Sequence, residues 1–266
     1  MKHLLACLGF LAFVNLHAAT EPIAKRPDAQ ALLDESGYRG TLLIYDLAQD
    51  TYFASHPDIA DERFIPASTF KILSTQVALQ TGVVPHADTR LKWDGIERGR
   101  RETNRDLDFR DAFRISSVPH YQAIVKEIGA ERMQAALDSI PYGNQDISGG
   151  ITQFWLTGAL RISPREQIEF LRKLYQNELP FSSHAMESVK SMMRSPSEGD
   201  TTYHAKTGWA VLPENRNIGW WGGWAEKEGR ILFFATVLDS SSPGEDFGSA
   251  RIELTKAALQ KIFPEQ

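Results

Sequence analysis

Pro66-Ala67-Ser68-Thr69-Phe70-Lys71-Ile72 is the stretch on which the rest of the chain turns. It reads as the start of a helix, where residues three apart share a face, so Ser68 Oγ and Lys71 Nζ can converge on one point. A serine hydroxyl is a poor nucleophile until a neighbouring base takes its proton. A lysine amine can be that base only when its pKa is pulled down, and burial among apolar groups such as Phe70, Ile72 and Leu73 does this. Backbone N–H groups at the helix start also favour developing negative charge. The alternative reading makes Ser68 an N-cap and Lys71 a solvated helix lysine. A lone Ser-x-x-Lys arises by chance roughly once in a chain of this length, so the remaining sequence has to decide between them.

Working outward, Gly40 opens a strand at Thr41–Leu47, and Thr51–Ala54 completes a hairpin after the turn Ala48-Gln49-Asp50. A short helix precedes them around Ala29–Leu33. The helix that follows Pro66 is expected to stop at Gly82. Residues 83–108 read as a charged, loop-rich stretch, and helices follow at Asp108–Ser116, Pro119–Ile128 and Ala130–Asp138. Ser163-Pro164-Arg165-Glu166 is a capping box with proline at N1, so Glu166 is read as structural. Strands are expected at Tyr203–Gly208, Gly219–Ala225 and Ile231–Asp239, then a helix over Gly248–Phe263. Strands at both ends around a helical middle predict an α+β fold: an antiparallel sheet flanked by helices plus a helical domain. The corresponding division is 20–63 with 162–266 as a mixed lobe, and 64–161 as a helical lobe.

The 266 residues carry a net charge of −5, with 42% hydrophobic and 24% charged residues. That is the composition of an ordinary globular protein and gives no reason to expect a nucleic-acid or anionic-membrane partner. The basic run Arg98-Gly99-Arg100-Arg101 reads as a solvated loop. Residues 1–19 have the pattern of a cleaved secretory signal: Lys2, an apolar run from Leu4 to Leu16, and small residues at Ala18-Ala19. A membrane anchor needs roughly 20 apolar residues, and Asn15 and His17 interrupt this run, so no membrane anchor is expected. The one cysteine, Cys7, lies inside the leader, which leaves the mature chain without a thiol and points to the periplasm. The seven histidines are scattered with no pair at ligand spacing, so no metal is expected. A Gly-x-Ser-x-Gly elbow is also absent.

Two further motifs raise the Ser68/Lys71 reading. Ser116-Ser117-Val118 falls between two helices and offers a second hydroxyl. Lys206-Thr207-Gly208 lies on a strand, with a cation and a hydroxyl suited to a carboxylate and a glycine where a ligand backbone can approach. Ser-x-x-Lys followed by Lys-Thr-Gly is the pairing of serine β-lactamases and penicillin-binding proteins. With Tyr142-Gly143-Asn144, Phe154-Trp155-Leu156 and Trp220-Trp221-Gly222-Gly223-Trp224, the sequence from about Gly40 to the C-terminal helix resembles the class D serine β-lactamases, the oxacillinases.

That resemblance implies the serine β-lactamase/penicillin-binding transpeptidase-like fold and hydrolysis of small-molecule β-lactams through a serine acyl-enzyme. It implies Ser68 as nucleophile, with the backbone N–H groups of Ser68 and Trp209 as oxyanion hole and Ser116 as proton relay. Lys206, Thr207, Gly208 and Arg251 would bind the substrate, with Val118 and Leu156 also on the substrate-binding surface. Lys71 would carry a carbamate taken from CO2 or bicarbonate, with no other cofactor, hydrogen-bonded by Trp155 and kept dry by Phe70, Val118 and Leu156. Read without the family, Trp155 and Val118 are ordinary core residues, Tyr142-Gly143-Asn144 is a turn, and the three tryptophans are packed strand aromatics rather than a sugar platform. Within the resemblance Tyr142-Gly143-Asn144 is expected to line the site, with no firm chemical role. Two other functions share these motifs: a penicillin-binding transpeptidase or carboxypeptidase, and a β-lactam sensor that is acylated without turnover. Substrate breadth and the choice between monomer and homodimer stay open.

Overall fold

The computed structural model describes residues 21–263. The expected leader, and Cys7 with it, lies outside the described residues. In chain order the elements are β1 (Ile23–Lys25), α1 (Pro27–Ser36), β2 (Arg39–Asp46), β3 (Thr51–Ala54), α2 (Lys71–Gln80), β4 (Arg90–Leu91) and β5 (Leu107–Asp108). They continue with α3 (Phe109–Arg114), α4 (Val118–Ile128), α5 (Ala130–Asp138), α6 (Pro164–Tyr175), α7 (Ser183–Met193), β6 (Thr201–Val211), β7 (Asn217–Lys227), β8 (Arg230–Ser240) and α8 (Phe247–Gln260).

The main sheet runs β1-β3-β2-β8-β7-β6. The β2–β8 seam joins the two ends of the chain in antiparallel register from Arg39 opposite Asp239 to Asp46 opposite Leu232. Everything between β3 and β6 is therefore a largely helical insertion, as the alternation of signals predicts. The sheet departs from the antiparallel expectation at one edge, where the three-residue β1 pairs in parallel with β3. So short a strand carries no readable alternation, and its pairing is a tertiary contact. The β7–β8 turn sits at Lys227-Glu228-Gly229, where Glu228 and Gly229 both have positive φ (50° and 79°), the two-residue geometry that matches strand twist.

Period-two alternation sorts the sheet's side chains between two layers. Leu43, Tyr45, Trp220, Trp224, Phe233, Ala235 and Val237 face the large core that also holds Phe70, Phe170 and Trp155. Leu42, Ile44, Trp221, Phe234 and Leu238 face a smaller core closed by Leu33 of α1 and Phe247 and Leu259 of α8. All three tryptophans of β7 are buried, so the strand is a packed centre and not a stacking platform.

The α6 capping box is present as read: Ser163 Oγ accepts from the Glu166 N–H, and the Glu166 carboxylate accepts from the Ser163 N–H at 2.8 Å. Helix α7 was not foreseen from the sequence, although Ser182 caps it by accepting the Ala185 N–H. Residues 83–108 are mostly irregular and hold the two-stranded β4–β5 pair and a 3-10 turn at Arg101–Thr103.

Candidate active site

The nucleophile stretch is tighter than an α-helix. Ala67–Phe70 form a 3-10 turn that passes directly into α2 at Lys71. In a 3-10 turn side chains three apart eclipse one another, and here Lys71 Nζ lies 2.7 Å from Ser68 Oγ. Ala67 enters the turn with φ of +50°, a left-handed conformation that costs a non-glycine residue energy and persists only where surroundings enforce it. Those surroundings are visible. Trp220 Nε1 donates to the Ile65 carbonyl at 2.9 Å, and Thr69 Oγ1 donates to the Pro66 carbonyl at 2.7 Å. Gly208 of β6 presses so close that a Cβ there would stand 2.9 Å from Pro66 O and 3.2 Å from Thr69 N. The glycine of Lys206-Thr207-Gly208 is thus required by the serine's own turn.

Lys71 is fully buried. Its nearest charged influences are Lys206 and Arg100, both positive, so burial first and these cations second hold its pKa well below the ordinary lysine value. The face of the Tyr121 ring, 5.1 Å from Nζ, lines its pocket. Trp155 is buried and stacked on Phe70 at 5.6 Å, and its Nε1 has no hydrogen-bond partner among the described residues. An orphaned donor of this kind in a core is costly unless something accepts from it.

Ser116 lies in the α3–α4 connection with φ of +59°, pinned by its N–H to the Phe113 carbonyl and by the Ser117 N–H to the Ala112 carbonyl. Lys206 Nζ donates to Ser116 Oγ at 2.9 Å and to the Thr207 carbonyl at 3.1 Å. Burial, then Arg251 and Arg100, lowers Lys206 to about 7. Arg251 of α8 donates to the Gly208 carbonyl, lies 5.5 Å from the Trp209 ring, and is lowered to about 10 by burial.

These residues meet at a cavity of about 750 Å³, lined by Ser68, Ser116, Val118, Thr207, Gly208, Trp209 and Arg251. Lys71 and Lys206 are not in that lining but hydrogen-bond its serines from behind, and Trp155 is buried outside it, against Phe70. Leu156 is half-buried, packed against the core, and not part of the lining. Tyr142-Gly143-Asn144 does not reach the cavity. Tyr142 is buried against Phe70 and Phe170, and Gly143, at φ of +57°, leaves no room for a Cβ beside the Arg161 carbonyl. Asn144 clamps the same loop, its Oδ1 accepting the Arg161 N–H at 2.8 Å. The motif therefore backs the nucleophile turn from inside. Among the described residues no group of three or more His, Cys, Asp or Glu side chains is placed to hold a metal ion.

The sequence reading missed part of the rim. Arg100, Glu102, Arg114 and Ile115 also line the cavity. Arg100 comes from the run read as a solvated loop, and it is anchored by donating to the Ile115 carbonyl at 2.8 Å. The clustering of arginines was a signal, but its direction depends on a contact fifteen residues away.

Comparison with known proteins gives one answer by three routes. The family model "Penicillin binding protein transpeptidase domain" matches residues 39–262. Beta-lactamase OXA-48 of Klebsiella pneumoniae is 37% identical over 255 residues, 95% of each chain. Beta-lactamase OXA-10 of Pseudomonas aeruginosa is 42% identical over 206 residues, 77% of this chain and 75% of its own. Among solved structures, the class D beta-lactamase YbXI from Nostoc superposes with a TM-score of 0.83 at 37% identity, covering 88% of this chain and 98% of that one. FUS-1 (OXA-85) from Fusobacterium nucleatum subsp. polymorphum gives 0.85 at 35% identity, covering 90% and 98%.

Proposed function

The chain belongs to the penicillin-binding-protein transpeptidase family and within it to the class D β-lactamases, and on that premise we propose that it opens β-lactams through an acyl-enzyme on Ser68 with carbamylated Lys71 as base. β-Lactam hydrolysis is the activity of this class; the residue roles are the proposal. The observation that carries them is Lys71 Nζ, fully buried and 2.7 Å from Ser68 Oγ, under the influence of Lys206 and Arg100 and with no acid paired to it among the described residues.

In this reading Ser68 Oγ bonds to the lactam carbonyl carbon while its proton passes to the base on Lys71. The backbone N–H groups of Ser68 and Trp209 stabilise the charge that develops on the carbonyl oxygen. The ring C–N bond then breaks, and the nitrogen takes a proton through Ser116, whose hydroxyl is oriented by Lys206. Lys206, Thr207 and Arg251 hold the substrate carboxylate on β6 and α8, with Val118 and Trp209 as apolar walls.

The surroundings of Lys71 fit a carbamate. A depressed pKa leaves the free amine that CO2 requires, and the unpartnered Trp155 Nε1 is a donor for the resulting anion. Carbamylation would supply a negatively charged base in place of a neutral amine. The lobe division at 64 and 161 belongs to the same proposal. It is supported by Phe64 and Ile162, which exchange both backbone hydrogen bonds where the chain enters and leaves the helical part. Among the described residues no helix is long and apolar enough to cross a membrane, and the leader-like residues 1–19 support export to the periplasm.

The test is nitrocefin hydrolysis with bicarbonate depleted and then restored, alongside Ser68→Ala and Lys71→Ala. Turnover that falls and recovers with bicarbonate, and vanishes in both variants, is expected. A stoichiometric burst without turnover would move the protein to the sensor or transpeptidase class.

A further inference from the structure

Binding the ring carboxylate of a β-lactam accounts for Lys206, Thr207 and Arg251. It leaves two arginines at the cavity without work. Arg100, from the loop between β4 and β5, and Arg114, at the end of α3, line the same cavity beside Ile115 and Ser116. Both heads are largely exposed, with 56% and 66% of the side chain open to solvent. Arg100 donates to Glu102 through Nε at 3.0 Å and through a terminal nitrogen at 2.8 Å, and that same nitrogen holds the Ile115 carbonyl. Arg114 donates to Asp111 at 2.8 and 3.2 Å. Among the described residues of the lining there are three arginines and one acid, Glu102, which is taken up by Arg100 beside it.

Arg100 lines the cavity beside Ser116, and its positive charge helps to lower both Lys71 and Lys206. Its anchor on Ile115 fixes the guanidinium in place, and a planar fork held this way is suited to a second carboxylate. Preorganisation of that kind lowers the cost of binding.

We propose that Arg100, with Arg114 on the same wall, forms a second anion subsite that favours β-lactams bearing another acidic group besides the ring carboxylate, with Glu102 as the internal competitor for it. The proposal rests on the β-lactamase reading above. The second acid can sit at either end of the substrate, on the acyl side chain or on the ring substituent, and two matched pairs separate these. Carbenicillin differs from benzylpenicillin by one carboxylate on the acyl side chain. Ceftriaxone shares its acyl side chain with cefotaxime and carries an acidic heterocycle in place of the neutral acetoxy group on the ring substituent.

The experiment measures kcat/KM for both pairs at low and high salt, in the unaltered protein and in Arg100→Ala, Arg114→Ala and Glu102→Gln. Equilibrium binding of the same four compounds to Ser68→Ala is measured in parallel. The dianion-to-monoanion ratio of one pair is expected to fall roughly fivefold in Arg100→Ala, to fall less in Arg114→Ala, and to rise in Glu102→Gln. Added salt is expected to shrink the preference. Opposite signs for Arg100→Ala and Glu102→Gln are a result that simple damage to the loop cannot produce. Ratios that stay the same in all three variants, in turnover and in binding, overturn the subsite. Absence of any turnover counts against the catalytic reading alone, because the Ser68→Ala binding ratios still decide this one.

Discussion

The floor and the wall of the cavity each present a buried lysine to a serine hydroxyl, and the two lysines do different work. Lys71 rises from the first turn of a helix over the face of the Tyr121 ring, 2.7 Å from Ser68. Lys206 comes from a central stretch of β6, 2.9 Å from Ser116, with a backbone carbonyl as its second partner and Arg251 among its neighbours. Desolvation is the leading cause of the lowered pKa in both. What separates them is the supply of oxygen atoms. Lys206 has two oxygen acceptors and is lowered to about 7, where the ammonium can still meet an anion. Lys71 has one hydroxyl and is held well below the ordinary lysine value, which favours the free amine. One residue type becomes a base or an anion clamp according to how many lone pairs surround it.

Removing the floor lysine is expected to have the largest effect. Lys71→Ala should lower turnover about a thousandfold, the scale of a lost general base, with Ser68 still present but unactivated. Nitrocefin kinetics together with mass spectrometry for the acyl adduct would check it. Residual turnover within tenfold of the unaltered protein would break the distinction between the two lysines.

Removing the wall lysine should cost less and appear in a different constant. Lys206→Ala is expected to reduce kcat/KM by about thirtyfold, the range of a hydrogen bond to a charged group, chiefly through KM. The sign of the pH effect follows from its value of about 7. The substrate carboxylate binds the ammonium form, so kcat/KM should decline as pH rises through about 7. Lys206→Arg, which stays charged, should flatten that limb. An unshifted limb in the arginine variant would assign the titration to another group.

Gly208→Ala tests the contact between floor and wall. The added methyl would press on Pro66 O, Thr69 N and the Trp220 side chain at 2.9–3.2 Å, and the strand cannot retreat without breaking its ladder to β7. A loss of about tenfold in kcat is expected from the displaced nucleophile turn. Thermal unfolding of the same variant should show a drop of only a few degrees.

The local patterns were readable because they need few partners. The α6 capping box, the β7–β8 turn and the Ser68–Lys71 spacing are written within four residues each, and they appear as read. What the sequence withheld depends on distant contacts. Arg100 faces the cavity because Ile115 holds it, β1 exists because β3 offers an open edge, and the 3-10 form of Ala67–Phe70 answers to Gly208 and Trp220. Helix α7 is a different case. Its cap at Ser182 and its buried Ala185, Met186, Val189 and Met193 form a helical stripe, so its signal was present and went unread. Tyr142-Gly143-Asn144 was visible as a motif, but its place behind the turn, with Asn144 clamping Arg161, required the fold.

The smallest effect concerns stability and tests whether the dry floor is a burden the fold carries for chemistry. A lysine whose folded pKa lies far below its unfolded value binds fewer protons when folded, so it weakens the fold increasingly as pH falls below about 10.5. Lys71→Met keeps the volume, removes the amine and leaves Ser68 Oγ one partner short. It should stabilise the protein by about 1–2 kcal/mol at pH 7, or about 2–8 °C in Tm for a domain of this size, while abolishing turnover. The gain should be larger at pH 6 than at pH 9, because the penalty of the native amine grows in that direction until the folded pKa is reached. Bicarbonate offers a second handle. If the amine is relieved by carbamylation, adding bicarbonate should raise the Tm of the unaltered protein and leave Lys71→Met unmoved. A Lys71→Met variant less stable than its parent at every pH would mean that the Ser68 hydrogen bond outweighs the cost of burying the amine, and the floor would then resemble the wall.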